Sequence, residues 1–252
     1  MRFVFLTAIL ILWFSQAHSQ TVANSIFTEY GYPNIPKDST TIQTMYRFSK
    51  FRVYADDKFI KVEAFQDLPE EKLEELGAGL RSSFIKERAS GEVFLCVALD
   101  TLLIRLKGGE KEQASFKEVT ETFNSGSAAV YAKGSKKLDI QGFSCQQYLV
   151  KGAFQDTVSA YVTDRVVLGP TIKDFPLYVA GEGKNYGLLL GRDEVMWNGY
   201  VLEFRALKVE INQPRDLAKE LASYKLVTEE EGDKMIQDWF AKLMGMPVEG
   251  KN

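Results

Sequence analysis

Histidine is nearly absent from this chain, its one copy being His18, close to the amino terminus. Beyond that position no side chain of ordinary pKa titrates near neutrality, so the commonest general base is missing. Ser-His-Asp and Cys-His relays are excluded, and so is any histidine-bearing zinc site. Cysteine is scarce too: only Cys96 and Cys145 occur, and neither has a second ligand at metal-site spacing. No metal or other cofactor is expected. In an oxidising compartment the two thiols could pair. Both also lie in apolar, strand-like runs, VFLCVAL and FSCQQYLV, where a small buried thiol fits. There is no block of basic residues and the formal charge is −3, which excludes nucleic acid as a partner. No apolar run reaches the roughly 18 residues of a membrane-spanning helix.

What is present begins with an export signal. Met1-Arg2 is a short positive start, Phe3 to Phe14 is almost wholly apolar, and Ala17-His18-Ser19 offers small residues at the −3 and −1 positions. This pattern predicts a secretory signal peptide, residues 1–19, cleaved before Gln20. No cysteine follows the apolar run, so a lipid-anchored lipoprotein is not expected. Cleavage takes Arg2 with it, one of 31 basic residues against 34 acidic ones, and the balance moves from −3 to −4. The expected product is soluble, in a periplasm or outside the cell.

Most of the remainder reads as strand. Asp139 to Leu168 predicts two long antiparallel strands, Phe143–Val150 and Thr157–Val167, around the turn 151–156. Residues 20–39 read as an extended lead-in or loose first strand. Thr41–Tyr54 and Phe59–Phe65 form a hairpin about Ala55-Asp56-Asp57-Lys58, and Glu92–Leu106 returns to strand with a tight turn at Asp100-Thr101. Lys111–Thr122 reads as an exposed edge strand, with a short helix as the alternative. Lys133-Gly134-Ser135-Lys136 reads as a turn, Thr171–Lys184 as irregular, and Gly191-Arg192-Asp193 as a bend. Asn198-Gly199 is the strongest two-residue hairpin signal, between Glu194–Trp197 and Tyr200–Ile211. The last strand is apolar on both parities, so both faces of its sheet need cover.

Helical periodicity appears three times. Leu73, Leu76, Leu80 and Phe84 predict a helix within Asp67–Arg88, weakened by Gly77 and Gly79. Pro214–Tyr224 predicts a short helix. Thr228-Glu229-Glu230-Glu231 is a capping box opening a helix with Met235, Ile236, Trp239, Phe240, Leu243 and Met244 on one broad stripe. No linker divides the chain, which predicts one domain over residues 40–252.

The chemistry left is that of binding. Gly181-Glu182-Gly183-Lys184 lacks the spacing and the Ser or Thr of a phosphate loop, and Asp56/Asp57 and Asp193/Glu194 read as solvated turn residues. Tyr46, Phe48, Phe51, Phe59, Phe143, Tyr148 and Tyr161 fall on strands of one sheet. Were that sheet curved, one face would be a concave apolar surface suited to a lipophilic ligand; the plain alternative is that the rings fill the core. The candidate ligand-binding set is Tyr46, Phe48, Phe51, Tyr148, Tyr161, Trp239 and Phe240.

The succession of Gly142-Phe-Ser-Cys-Gln-Gln-Tyr148, Tyr161-Val-Thr-Asp164, Phe175-Pro-Leu, the Asn198-Gly199 hairpin and Tyr224-Lys-Leu-Val-Thr before a terminal helix resembles a family of exported bacterial proteins of unknown function. That family carries a G-(Y/F)-x-C-x-x-Y strand followed by a (Y/W)-V-T-D strand and looks related to the Lol-type lipoprotein carriers. The resemblance spans about Thr40 to Met246; Asp67–Arg88 and Thr171–Lys184 depart from it. It implies an α+β fold, a highly curved antiparallel β-sheet (half-barrel) with helices covering the concave face and an apolar cavity between, which in the Lol carriers holds acyl chains. It brings no catalytic residues. The expectation is a non-enzymatic binder of a lipid, a lipoprotein or another lipidated partner. The alternative is a structural or interaction module of the envelope, with a filled core and a protein partner.

Overall fold

A computed structural model of the chain describes residues 20–35, 46–67, 80–99, 102–124, 130–151, 157–181, 184–195 and 199–243. The expected signal peptide, the first part of the Thr41–Tyr54 strand, residues 68–79 of the Asp67–Arg88 helix, the turns at 100–101 and 152–156, and Met244 lie outside the described residues.

Seven strands come first: β1 (Thr21–Ala23), β2 (Ile26–Gly31), β3 (Ser49–Ala55), β4 (Phe59–Gln66), β5 (Leu80–Glu87), β6 (Val93–Leu99) and β7 (Leu102–Lys107). Helix α1 (Glu110–Asn124) follows, then β8 (Val130–Ile140), β9 (Phe143–Lys151), β10 (Thr157–Thr163) and β11 (Val166–Leu168). After a 3-10 turn at Pro170–Ile172 come β12 (Tyr178–Gly181), β13 (Lys184–Val195) and β14 (Val201–Ile211). Helix α2 (Leu217–Ser223), β15 (Lys225–Val227) and α3 (Glu229–Leu243) end the described chain. One large sheet runs β15-β7-β6-β5-β4-β3-β2-β14-β13-β10-β9-β8, with β12 beside β13. Its pairings are antiparallel except β15 with β7, so the sheet is mixed, and β1 and β11 form a separate parallel pair. Among the described residues the sheet does not close, and β15 and β8 stand at its ends.

The register sorts side chains onto two faces, because successive residues of a strand point to opposite sides. Thr28, Val53, Val62, Phe84, Leu95 and Leu106 are successive register partners and share one face. Helix α3 lays Met235, Ile236 and Trp239 on this face near its β7 end, against Val97, Leu99, Ile104, Leu106 and Val227. Helix α1 packs on it through Phe116, beside Phe84 and Val93. The opposite face carries Phe27, Tyr54, Phe59, Ile85, Phe94 and Cys96, covered by Leu217 and Leu221 of α2. Both faces of this half are thus covered, as the two-sided strands require. On β14 the core parity is Leu202, Phe204 and Ala206, while Val201 is exposed.

Several local expectations are corrected. Residues 80–87 are strand, not helix. Phe84 and Ile85 each complete a different apolar face between β4 and β6, and tertiary pairing overrides the leucine spacing. Lys111–Thr122 is helical, not an edge strand. Glu112 caps its start by accepting from the Gly109 N–H at 2.8 Å, and Phe116 supplies its anchor. Lys133–Lys136 is no turn but a bulged stretch of β8, and Gly191–Asp193 continues β13. The extended lead-in supplies β2, hydrogen-bonded between β3 and β14, with Tyr30 wholly buried. Cys96 and Cys145 are free and buried in different parts of the core. The strand expected over Thr157–Val167 ends at Thr163, and Val166–Leu168 pairs separately with β1. Other readings hold: the hairpin of Phe143–Val150 with the strand from Thr157, the antiparallel pairing of Val93–Leu99 with Leu102–Lys107, the strands that end at Val195 and begin at Val201, and both C-terminal helices. The capping box forms as read, with Thr228 Oγ1 accepting from Glu231 N at 3.2 Å and Glu231 Oε2 from Thr228 N at 3.0 Å.

Candidate functional site

A cavity of about 530 Å³ lies between α1, the sheet and the segment after the 3-10 turn. Its buried lining is apolar: Ile60 and Val93 from the sheet, Phe116 from α1, and Pro176, with Gly91, Gln113, Ala114 and Thr120 completing the wall. Its rim is charged, with Lys86, Glu110, Lys117 and Asp174. Each wall is held by its own packing. Phe116 meets Phe84 edge-on at 6.4 Å, and Lys86 lies 5.9 Å from the Phe116 ring centre. Ile172, Phe175 and Leu177 are buried and root the 172–177 segment in the core. Asp174 bridges to Arg88, whose Nη1 stands 2.7 and 2.9 Å from its two carboxylate oxygens and whose Nε donates to the Asp56 carbonyl. The volume falls within the ~300–1,000 Å³ of small-molecule sites. An apolar floor under a charged rim suits an amphiphile: tail inward, polar head outward.

The candidate aromatics are distributed over the molecule. Tyr46 meets Tyr32 edge-on at 5.1 Å, and Tyr32 in turn abuts Phe204, which stacks on Tyr30 at 5.0 Å. Phe51 is buried and is the register partner of Tyr30, so Tyr46 and Phe51 share this neighbourhood. Phe48 lies under the Arg47 guanidinium. Tyr148 pairs edge-on with Tyr186 at the far side of the sheet. Tyr161 is on the opposite face from Tyr148, under Arg205 at 4.8 Å. Trp239 packs on the β7 end, with Phe240 at 4.9 Å from it and partly exposed. Phe59, on the strand list but outside the candidate set, lies beneath α2. Of the candidate set, Tyr148 alone lines one of the three described cavities, and that is not the one under α1.

Sequence reasoning missed α1, which supplies half of the main cavity. Its signal was there: acidic Glu110 and Glu112 at the start, then Phe116, Val119 and Phe123 spaced three and four apart. It also missed the ion pairs. Asp193 is no turn residue but the partner of Arg205, a buried guanidinium 2.6 Å away that also donates to the Arg192 and Phe204 carbonyls. Asp56 does act as a turn residue, its Oδ1 accepting from the Lys58 and Phe59 amides. Beneath α2, Arg52, Lys61, Glu63, Arg215 and Glu220 line a small cleft of about 170 Å³. There Lys61 reaches Glu220 at 2.6 Å and Glu63 at 3.7 Å, so the cleft neutralises itself. Among the described residues no group of three or more His, Cys, Asp or Glu is placed to hold a metal ion. Burial pushes the Cys96 and Cys145 thiols up to about 12, which makes poor nucleophiles of both.

No protein-family model matches the chain, and no curated protein does. Solved structures match in outline. One is a structure of PNGF-II, with 12% identity and a TM-score of 0.41 over 86% of this chain. Another is an uncharacterised conserved protein from Thermus thermophilus, at 10% identity and TM-score 0.41, over 82% of this chain and 91% of that one. A third is MucB, at 12% identity and TM-score 0.36, over 77% of this chain and 56% of that one. The chain spans only about a third of the PNGF-II chain, 33%. No described helix is long and apolar enough to cross a membrane.

Proposed function

We propose that this chain is an exported, non-enzymatic binder of an amphipathic ligand, a lipid or the acyl group of a lipidated partner, held between α1 and the sheet. On this reading residues 20–252 form one domain, the sheet curves about the cavity as a half-barrel, and the plan resembles that of the Lol-type carriers. The observation that carries it is the 530 Å³ cavity, with Ile60, Val93, Phe116 and Pro176 below and Lys86, Glu110 and Asp174 at the mouth. Aliphatic and aromatic carbon on the floor favours a tail. Lys86 at the rim, fixed over Phe116, favours an acidic head.

The test is native mass spectrometry of protein purified from its own envelope without detergent. A bound species in the mass range of a lipid or fatty acid supports the reading, and repeated recovery of empty protein that also ignores fluorescent fatty acids refutes it. The reading as an interaction module draws on a different observation, that the candidate aromatics are spent on separate packing contacts. It predicts one specific cross-linked protein partner and no lipid.

A further inference from the structure

The second cleft, about 240 Å³, lies at the opposite end of the sheet from α3. It is lined by Lys133 and Lys137 of β8, Ser144, Gln146 and Tyr148 of β9, Val162 of β10, Asp164 and Arg165 of the following turn, and Tyr186 of β13. The register places both lysines on the side of Tyr148, since Lys133 pairs with Tyr148 and Lys137 with Gln146. Four residues of β8 span what two residues of β9 span, so the lysines flank a two-residue bulge. That bulge is fastened. Gln146 Nε2 donates to the Gly134 carbonyl at 2.7 Å and the Lys136 carbonyl at 3.2 Å, and Lys136 N donates to Gln147 Oε1 at 3.3 Å. Gln147, itself buried, is tied to Ser159 at 2.7 Å. A Cβ at position 134 would collide with the Gln147 amide, so any other residue there has to displace that side chain.

The cleft therefore gathers three cations against one carboxylate on a chain whose formal charge is −3. Among the described residues no ion pair neutralises Lys133, Lys137 or Arg165. Beside them stand two tyrosines in an edge-to-face pair, ring centres 5.1 Å apart. Burial and the nearby Asp164 raise the Tyr148 hydroxyl above the ordinary phenol range, so it remains a donor at neutral pH. Lysines on an edge strand also deter pairing with another chain. That role needs neither a cleft, nor a ring pair, nor a fastened bulge that sets both lysines on one side.

We propose that this cleft is a binding site for a saccharide bearing an anionic group, a uronate carboxylate or a sugar phosphate, unconnected with the cavity under α1. The cations Lys133, Lys137 and Arg165 take the anionic group through charge-assisted hydrogen bonds. The faces of Tyr148 and Tyr186 take the C–H edges of the sugar ring, whose partial positive charge suits the negative face of an aromatic ring. Ser144, Asp164 and the Gln146 carbonyl oxygen remain for ring hydroxyls. A volume worth about eight waters, at ~30 Å³ each, admits one sugar ring.

The test is calorimetric titration of the full chain with digalacturonate, glucose 6-phosphate, maltose and inorganic phosphate, beside a Lys133→Gln/Lys137→Gln variant and a Tyr148→Ala variant. Both lysines are exposed, so the double variant is expected to fold, which far-UV circular dichroism checks. The expected result is binding of one of the two charged sugars, at least about tenfold tighter than maltose or phosphate, weakened at least about tenfold by each variant. Which charged sugar binds tells a uronate from a sugar phosphate. The proposal is overturned if neither charged sugar binds, if phosphate alone binds as tightly, or if both variants bind like the parent. It is also overturned if the lysine variant merely aggregates while its soluble fraction binds unchanged.

Discussion

Arg205 is the charged residue most deeply placed in the described structure, 8% exposed, between β13 and β2. Its guanidinium is tolerated there because Asp193, two backbone carbonyls and the Tyr161 ring all face it. Asp193→Ala strands that charge, and should lower unfolding free energy by about 3 kcal/mol in urea titrations, whereas a similar loss is not expected from the more exposed Lys107–Glu92 pair. Gly187 sits at φ +127°, where an added Cβ would run into the Thr163 carbonyl, so Gly187→Ala should cost upwards of ~2 kcal/mol in the same assay. The thiols give a sharper chemical test. Cys96 and Cys145 are free and held near 12 by burial, so a thiol reagent at pH 8 should find none in the folded protein and two in denaturant. The sign of the pH dependence follows. A folded-state pKa raised above the unfolded one means that the unfolded chain releases its protons first. Stability is therefore full below about pH 8.5 and declines as pH rises toward 12, with Tyr224, also near 12, adding to the fall.

Among the elements, α3 and α1 make contrasting cases. Helix α3 was legible because its start carries a reciprocal cap and its stripe is long: Thr228 and Glu231 exchange hydrogen bonds, and Met235, Ile236 and Trp239 meet the β7 end of the sheet. Thr228→Ala should cost roughly 1 kcal/mol, read as a lower thermal midpoint with the rest of the fold intact. Helix α1 was obscure because charge outnumbers apolar residues along Lys111–Thr122, and one ring, Phe116, does most of the anchoring. Phe116→Ala should cost about 3 kcal/mol and should also enlarge the cavity it lines. Strand β5 shows the reverse error. Leucines three and four apart spelled helix, yet the segment is wanted as a strand because its neighbours need both Phe84 and Ile85, one on each face. Spacing within a segment cannot report what the adjacent strands demand.

At the scale of the molecule, the antiparallel pairings were readable from strand patterning and the hairpins from their turns, but the two apolar parities of β14 mark a register shift between Ala206 and Lys208 that keeps Val209 on the face of Ala206, not burial on both faces. The order of strands was not. It depends on β2 leaving the amino-terminal stretch to hydrogen-bond between β3 and β14, a pairing across more than 170 residues of chain that no local signal announces. The location of the cavity was equally hidden. Its walls come from β4, β5, β6, α1 and the 172–177 segment, and the ring-rich strands that suggested a site mostly pack against one another. Two parts of the sheet present different chemistries: a cavity with an apolar lining near α1, over β4 to β6, and a cationic, tyrosine-lined cleft by β8. The central claim is that the first of these holds an acyl chain. Photo-crosslinking with a diazirine fatty acid, followed by peptide mapping, tests it most directly. Adducts confined to residues 110–120, 174–176 and the neighbourhood of Ile60 and Val93, reduced in Phe116→Ala, are the predicted result. Absence of adducts, or adducts gathered around Trp239 and Phe240 or spread over the surface, would contradict it.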